Sequence, residues 1–148
     1  MPAIRTLKPL AVLGVVAALA AGGAGVATAN PGGVPAIPLN TEQETTGSNT
    51  GASGFFSYTI SGGELCYTLT ARNLSLPALA AHIHLAPRGV AGPVVVPLTV
   101  GSGTTWTQEA CTTADPALLA AIVASPRSYY VNVHTPNFPG GEIRGQLK

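Results

Sequence analysis

Charged residues are scarce in this chain, and their scarcity excludes several classes of partner. Charged side chains make up 9% of the 148 residues, with seven basic residues against six acidic ones. Nucleic acids and anionic membranes are bound through clusters of Lys and Arg that offset their negative phosphates. A chain this close to neutrality lacks that charge, so we expect no nucleic-acid partner and no electrostatic attraction to a membrane surface.

Several common catalytic motifs are also missing. No G-x-S-x-G sequence supplies the nucleophilic serine of an α/β-hydrolase. PRGVAG contains glycines but lacks the Lys-Ser/Thr signature of a phosphate-binding loop. Glycoside hydrolysis needs a pair of carboxylates, and acidic residues beyond residue 50 are few: Glu64, Glu109, Asp115 and Glu142. The sequence therefore predicts a protein that is not an enzyme.

A long apolar run occurs once, near the N-terminus. Arg5 and Lys8 precede PLAVLGVVAALAAGGAGVA, which carries no charge and ends at the small residues of ATAN. This pattern predicts a secretory signal peptide over residues 1–29, cleaved after Ala29, with an uncleaved membrane anchor as the alternative. We expect an exported chain, residues 30–148, located outside the cell or in the cell envelope and without a membrane span.

Cysteine occurs twice, as Cys66 and Cys111. An even number of cysteines in an exported protein indicates a disulfide, because thiols are oxidised outside the cytosol. A metal-thiolate site is the alternative, but neither cysteine belongs to the C-x-x-C pair that such sites favour. We therefore predict one disulfide, which would stabilise the fold by about 4 kcal/mol in the chain-entropy model.

Turn residues divide the rest of the chain into short segments. Residues 30–50 are rich in Pro, Gly, Thr and Ser, so we expect a flexible lead-in, part of which could pair as an edge strand. Beyond it, β-rich segments recur at a spacing of roughly ten residues, which is typical of a β-sandwich or barrel. These segments are GFFSYTIS, ELCYTLTARNL, AAHIHLAP, PVVVPLTV, TTWTQEACTT, SYYVNVHT and EIRGQL.

One segment, DPALLAAIVASP, departs from this alternation. Asp115 is a favourable N-cap, Pro116 suits the first helical position, and Pro126 ends the run. The pattern predicts one short helix over about residues 115–124. The predicted fold class is therefore all-β, an antiparallel β-sandwich or barrel with one short helix and one disulfide.

All three histidines of the chain lie in segments with an apolar face and a polar face. Side chains alternate across a strand, so His82 and His84 in HIHL point to the same side. If these strands are neighbours, the histidines converge. The polar faces carry His82 and His84 in the first segment, Asn132 and His134 in YYVNVHT, and Glu142 and Arg144 in GEIRGQL.

Two interpretations of these polar residues remain open. Three imidazole nitrogens suit zinc or copper, with Glu142 or a water as a fourth ligand. Alternatively, the histidines form a hydrogen-bonded network with Asn132, Glu142 and Arg144 and hold no metal. A metal-assisted enzyme would in addition require an open coordination position and a pocket, which the sequence does not show.

Two segments of the chain resemble the CHRD domain, a module named after chordin that also occurs in secreted bacterial proteins: AHIHLAPRGVAGPVVVPL and YYVNVHTPNFPGGEIRGQL. The resemblance leads us to predict a CHRD-like domain over residues 51–148. It implies an immunoglobulin-like β-sandwich or barrel, and no established reaction for single-domain bacterial members. The residues that match the family's motif are His82, His84, Asn132, His134, Arg144 and Gly145.

In chordin, these modules belong to a protein that binds growth-factor ligands. The present chain has no cysteine-rich repeats and no second copy of the module, so growth-factor antagonism is not implied. Its three histidines are also too few for the paired copper and zinc sites of copper-zinc superoxide dismutase, to which the H-x-H pattern is superficially similar.

We therefore expect a secreted, non-enzymatic β-sandwich module that binds an unidentified protein or an extracellular matrix or envelope ligand. The alternative is an extracellular copper- or zinc-binding protein that uses His82, His84 and His134.

Overall fold

The computed structural model describes residues 35–148. The predicted signal peptide, residues 1–29, lies outside the described residues, as does its cleavage site. None of the helices in the described part of the chain combines the length and apolarity that crossing a bilayer requires.

Residues 35–148 form eight β-strands and one α-helix. The strands are β1 Ile37–Asn40, β2 Ser53–Ser61, β3 Glu64–Arg72, β4 Ala80–Leu85, β5 Val94–Leu98, β6 Trp106–Thr113, β7 Tyr129–Thr135 and β8 Phe138–Gln146. The helix, α1, is Pro116–Ala124, and short 3-10 turns occur at Thr41–Gln43 and Pro126–Ser128. The prediction of an all-β fold with one short helix is confirmed.

The eight strands belong to one antiparallel sheet in the order β5-β4-β7-β8-β1-β2-β3-β6, which curls into a nearly closed barrel. Strands β2 and β3 form a hairpin in which Ser53 lies opposite Arg72 at the open end and Ser61 lies opposite Glu64 at the turn. Gly62 and Gly63 make its two-residue turn with φ angles of 60° and 84°. Both residues need positive φ in such a turn, which explains the glycine pair.

Strand β1 comes from the segment predicted to be a flexible lead-in. It pairs with β2 on one side and with β8 on the other, so it lies inside the sheet and not at an edge. Ile37 and Leu39 are buried completely in the core. Two apolar residues beside Pro38 are too short a pattern to reveal a strand, yet the folded unit begins well before residue 51.

The hydrophobic core fills the interior of the barrel, and alternate residues of the strands point into it. Helix α1 adds Leu119 and Ile122 to the same core. Asp115 caps this helix, because its Oδ1 accepts hydrogen bonds from the backbone N–H groups of Ala117 and Leu118 at 2.8 and 3.2 Å. The fully buried core residues include Phe56, Leu65, Leu69, Ile83, Val131, Val133, Ile143 and Leu147.

Cys66 and Cys111 form the predicted disulfide, with an S–S distance of 2.06 Å. The two residues are directly opposite each other in the register of β3 and β6. Their side chains alternate with core residues, so the bridge lies on the outer face, where Cys111 is exposed and Cys66 is half-buried. The disulfide therefore fastens two paired strands together from outside the core.

Candidate functional site

The three histidines meet on the outer face of β4 and β7. In the antiparallel register, His82 lies opposite Asn132 and His84 lies opposite Tyr130, which places His134 diagonally across from His82. One ring nitrogen of each histidine lies within 4.8 Å of the others. The structure therefore supplies the strand neighbours that the sequence could not show, and the cluster forms between residues 50 positions apart in the chain.

The histidine cluster is closed on one side and open on the other. The His84 side chain is only 6% exposed, whereas His82 and His134 are both partly exposed. The cluster thus has a buried end at His84 and a solvent-facing end at the other two rings.

Backbone carbonyl groups fix the orientation of two of these rings. His84 Nδ1 lies 2.8 Å from the carbonyl oxygen of Gly92, and His134 Nδ1 lies 2.9 Å from that of Pro139. A carbonyl oxygen only accepts hydrogen bonds, so each Nδ1 carries the proton in the neutral ring and each Nε2 carries the lone pair. This is the arrangement that commonly orients metal-binding histidines.

The two Nε2 atoms differ in what they contact. His134 Nε2 lies 3.1 Å from His82 Nδ1 and accepts its proton in a hydrogen bond. His84 Nε2 is buried and has no hydrogen-bond partner within residues 35–148. A buried lone pair without a donor is unfavourable in a metal-free protein, because the nitrogen has lost water and gained nothing in exchange.

The pKa values of His82 and His134 favour the neutral form of both rings. Burial, followed by the neighbouring rings of His134 and His84, lowers the pKa of His82 to about 4. Burial also lowers the pKa of His134, although the hydrogen bond to Pro139 acts in the opposite direction. At neutral pH, both imidazoles are therefore uncharged and their lone pairs are free of protons.

A glycine brings the first carbonyl group close to the site. Gly92 lies so near the end of β4 that a Cβ at this position would collide with the backbone carbonyl of Leu85. Its N–H group donates a hydrogen bond to the Tyr130 hydroxyl at 3.3 Å. The loop between β4 and β5 can therefore place the Gly92 carbonyl on His84 only because this residue has no side chain.

Tyr130 connects the histidines to Arg144. Its ring stacks on His84 with centroids 4.7 Å apart and an angle of 5° between the planes. The Cζ atom of Arg144 lies 3.3 Å from the centroid of the same Tyr130 ring. Such a contact between a guanidinium and an aromatic face is attractive and strengthens when water is excluded. Tyr130 could have been assigned to the site from the sequence, because it lies on the same face of its strand as Asn132 and His134.

Arg144 holds the β4–β5 loop against the sheet. Its side chain is almost completely buried, and its Nη1 and Nη2 atoms each donate a 2.9 Å hydrogen bond to a loop carbonyl, those of Val90 and Pro87. Burial lowers the pKa of Arg144 from its ordinary value, while the neighbouring Tyr130 and Glu44 raise it. The predicted polar-network residue thus positions the loop that carries the Gly92 carbonyl.

Glu142 lies apart from the histidine cluster. Its two carboxylate oxygens accept hydrogen bonds of 2.7 to 2.8 Å from the hydroxyl groups of Thr50, Ser75 and Thr135 and from the Ser75 N–H. The pairing of β7 with β8 shifts register between Val133 and Thr135, which interrupts the alternation that predicted Glu142 beside the histidines. Burial alone would raise the pKa of Glu142, but these four hydrogen bonds outweigh it and lower the pKa.

Asn132 lies between His82 and Arg144 in the strand register, and the carboxyl of Glu44 reaches it. Asn132 is fully buried, and its Oδ1 has no hydrogen-bond partner among the described residues. Glu44 lies over Gly141, where its Oε1 fills the space that a Cβ would occupy. Burial raises the pKa of Glu44, although a hydrogen bond from Asn132 acts against this. Glu44 lies in residues 30–50, the segment predicted to be a flexible lead-in, so no sequence pattern indicated it as a site residue.

Comparison with known proteins identifies the family. A family model for the CHRD domain matches residues 36–147, which include all eight strands, the disulfide and the three histidines. No curated protein and no solved structure gives a significant match. The resemblance carried by the two histidine-containing segments is thereby confirmed, and the chain belongs to the CHRD domain family.

Proposed function

We propose that this protein is a secreted, non-enzymatic CHRD module that binds one copper or zinc ion with His82, His84 and His134. The observation that carries the proposal is the convergence of three ring nitrogens within 4.8 Å, one of them the buried and unpartnered Nε2 of His84. Imidazole nitrogens bind these metals at about 2.0–2.1 Å, which places them roughly 3.3 Å apart in a tetrahedral site. Small rotations of the partly exposed His82 and His134 rings bring the set together.

The hydrogen bond between His82 and His134 indicates how the ion would enter. In the metal-free protein, a proton on His82 Nδ1 bridges to His134 Nε2 across 3.1 Å. A metal ion would take the place of this proton, which moves to Nε2 of the same His82 ring. Both nitrogens then become ligands, beside Nε2 of His84, and the rings stay neutral as metal binding requires.

Two observations support the remaining parts of the proposal. The disulfide between Cys66 and Cys111 is compatible with an oxidising location outside the cytosol. The CHRD family is not a known enzyme family, and its modules are associated with binding. We therefore retain a non-enzymatic role, with the histidine cluster as its binding site.

A second candidate function is a partner-binding module without metal. The hydrogen bond between His82 and His134 favours it, because it already joins β4 to β7 in the absence of an ion. In that case, the cluster serves to hold the two strands together, and the ligand is a protein or an extracellular matrix or envelope component bound elsewhere on the surface.

Isothermal titration of the purified, EDTA-stripped exported chain with copper(II) and zinc(II) separates the two candidates. We expect binding at one ion per chain, and a loss of more than about 100-fold in affinity for His84→Ala, because even outer-shell substitutions at metal sites cost 10–100-fold. Absence of binding by the native chain would refute the metal proposal and leave the partner-binding module.

Tyr130→Phe is the matched control for this titration. It keeps the ring that stacks on His84 and removes only the hydroxyl that accepts from Gly92 N–H. We expect this variant to bind metal within about tenfold of the native affinity, in the lower part of the range for outer-shell changes. Equal losses in both variants would show that His84 acts through packing and not as a ligand.

A further inference from the structure

We propose that the metal bound by His82, His84 and His134 keeps one exchangeable coordination position on its solvent side, and that a small monodentate anion fills it. This inference rests on the proposed metal-binding function and extends it. The cluster would then be a site that receives an external ligand and not a closed structural site.

The first argument is the number of ligands. Within residues 35–148, the group that could surround an ion contains three histidines and no Cys, Asp or Glu. Zinc and copper(II) take at least four ligands, and a closed structural site supplies all four from the protein. Three imidazoles with a free position correspond to the arrangement of sites where an external molecule binds.

The carboxylate and the cysteines that the sequence analysis considered as ligands are already occupied. Both oxygens of Glu142 accept two hydrogen bonds each, from groups that lie away from the histidines. Cys66 and Cys111 are joined to each other, and their strands are separated from β4 and β7 in the sheet order by β8, β1 and β2. We therefore infer that the fourth ligand comes from outside the described chain, since Glu44, whose Oε1 has no hydrogen-bond partner there, lies against Gly141 and outside the histidine group.

The second argument is the direction of the free position. His84 closes the inner end of the cluster, with Tyr130 stacked on its ring. On the β5 side, the residue opposite His84 is Val94 and the residue opposite His82 is Pro97, neither of which has a side-chain donor atom. The partly exposed rings of His82 and His134 leave the remaining side to solvent.

The third argument is charge. Three neutral imidazoles leave the full 2+ charge of the ion uncompensated, and no carboxylate from residues 35–148 belongs to the cluster. Two ionisable groups lie one residue beyond it: Arg144, which contacts the Tyr130 ring that stacks on His84, and Glu44, whose carboxyl is hydrogen-bonded to Asn132 and not to a histidine. An uncompensated cation beside apolar side chains attracts an anion strongly, because the local dielectric constant is below that of water. Hydroxide, azide and carboxylate are all small anions that can bind such an ion through one atom.

The test is a titration of the copper(II)-loaded chain with sodium azide. We expect a new charge-transfer absorption band that saturates at one azide per copper, together with a change in the copper electron paramagnetic resonance spectrum. Sodium chloride at the same ionic strength is the control for salt effects. His84→Ala, exposed to the same copper and desalted, should give no band, and circular dichroism checks that this variant is folded.

The outcomes separate this inference from the function on which it rests. Stoichiometric copper binding without any azide response would overturn the exchangeable position and leave the metal site intact. No copper binding would overturn both. An azide response that occurs in Tyr130→Phe but not in the native chain would assign the fourth position to the Tyr130 hydroxyl, and would also overturn the proposal.

Discussion

The two ends of the sheet are fastened in different ways. The β3–β6 pair is joined by a covalent bond between register partners, whereas the β4–β7 pair carries three histidines linked by ring contacts and one hydrogen bond. Both fastenings lie on the outer face of the barrel. The disulfide needs no cover, and Cys111 is exposed. At the histidine end, by contrast, the β4–β5 loop covers His84, and Arg144 holds that loop in place.

The difference shows what each fastening requires of its surroundings. A disulfide requires only that its two cysteines lie at the right distance, so the neighbouring side chains can be small and exposed. A polar cluster depends on every group around it, since each buried donor or acceptor left without a partner costs free energy. Asn132, Glu142 and Arg144 are accordingly buried as deeply as the apolar core.

The largest expected effect concerns the disulfide end. Trp106 opens β6 and packs into the core, and a Cβ at Gly101 would collide with its ring. We expect Trp106→Ala to lower the free energy of unfolding by about 3–5 kcal/mol, because it leaves a large cavity. Urea unfolding measures this, with the exposed neighbour Thr107→Ala as control. A loss no greater than that of the control would show that the Trp106 ring contributes little to packing.

The disulfide itself comes next. Replacing both cysteines, Cys66→Ala with Cys111→Ala, avoids a free thiol and should lower the free energy of unfolding by about 2–5 kcal/mol. Thermal unfolding of the native chain with and without reductant is an independent measurement of the same bond. An unchanged melting temperature under reducing conditions would contradict the expectation.

Metal loading should stabilise the opposite end. Free zinc at 100 times its dissociation constant should raise the free energy of unfolding by about 2.7 kcal/mol through mass action. The same increment should occur in the variant that lacks the disulfide if the two sites act independently, because effects at independent sites add. Thermal unfolding of both proteins with and without zinc measures it. An increment that differs between them would mean that the two ends of the sheet are coupled.

The smallest effect, and the one that depends on pH, concerns Glu142. Its carboxyl pKa is lowered in the folded protein from the ordinary value of 4.5, so the unfolded chain binds its proton first as pH falls. The stabilisation that the carboxylate provides is complete above the ordinary pKa of 4.5. It is lost as the pH falls through the lower pKa of the folded protein. At pH 7, Glu142→Gln should cost about 1–3 kcal/mol, because the amide offers a donor where hydroxyl groups also donate.

Urea unfolding of both proteins from pH 7 to pH 3 tests this sign. The difference between them should shrink as the pH falls below 4.5. His82, whose pKa is lowered to about 4, also destabilises the fold as its unfolded form takes up a proton, but it does so equally in both proteins. A difference that does not vary with pH would contradict the charged role of Glu142.

Alternation along the chain was sufficient to predict most of the fold. The strands around His82 and His134, the cap at Asp115 and the disulfide all follow from local patterns and composition. Strand β1 could not be predicted in this way, because IPLN contains only two core residues and a proline. Its place between β2 and β8 is decided by partners more than ten residues away in the sequence.

The candidate site was predictable only in its residue types. Alternation placed His82 and His84 on one face, but the convergence with His134 depends on the pairing of β4 with β7, which is a property of the whole sheet. Glu142 does not join the histidines, because its carboxylate bonds Thr50, Ser75 and Thr135 beside a register shift in the β7–β8 pairing. Glu44 approaches the site through tertiary packing that no local pattern encodes.

The hydrogen bonds that orient His84 and His134 come from main-chain carbonyl groups, which every amino acid possesses. Replacing the side chain of Pro139 would therefore leave its acceptor in place, whereas inserting or deleting one residue in the β4–β5 loop or the β7–β8 turn would withdraw an acceptor altogether. The proton positions at this site are consequently encoded in the lengths of two connections. A change in those lengths, rather than in the histidines, is the shortest route by which such a module would gain or lose affinity for an ion.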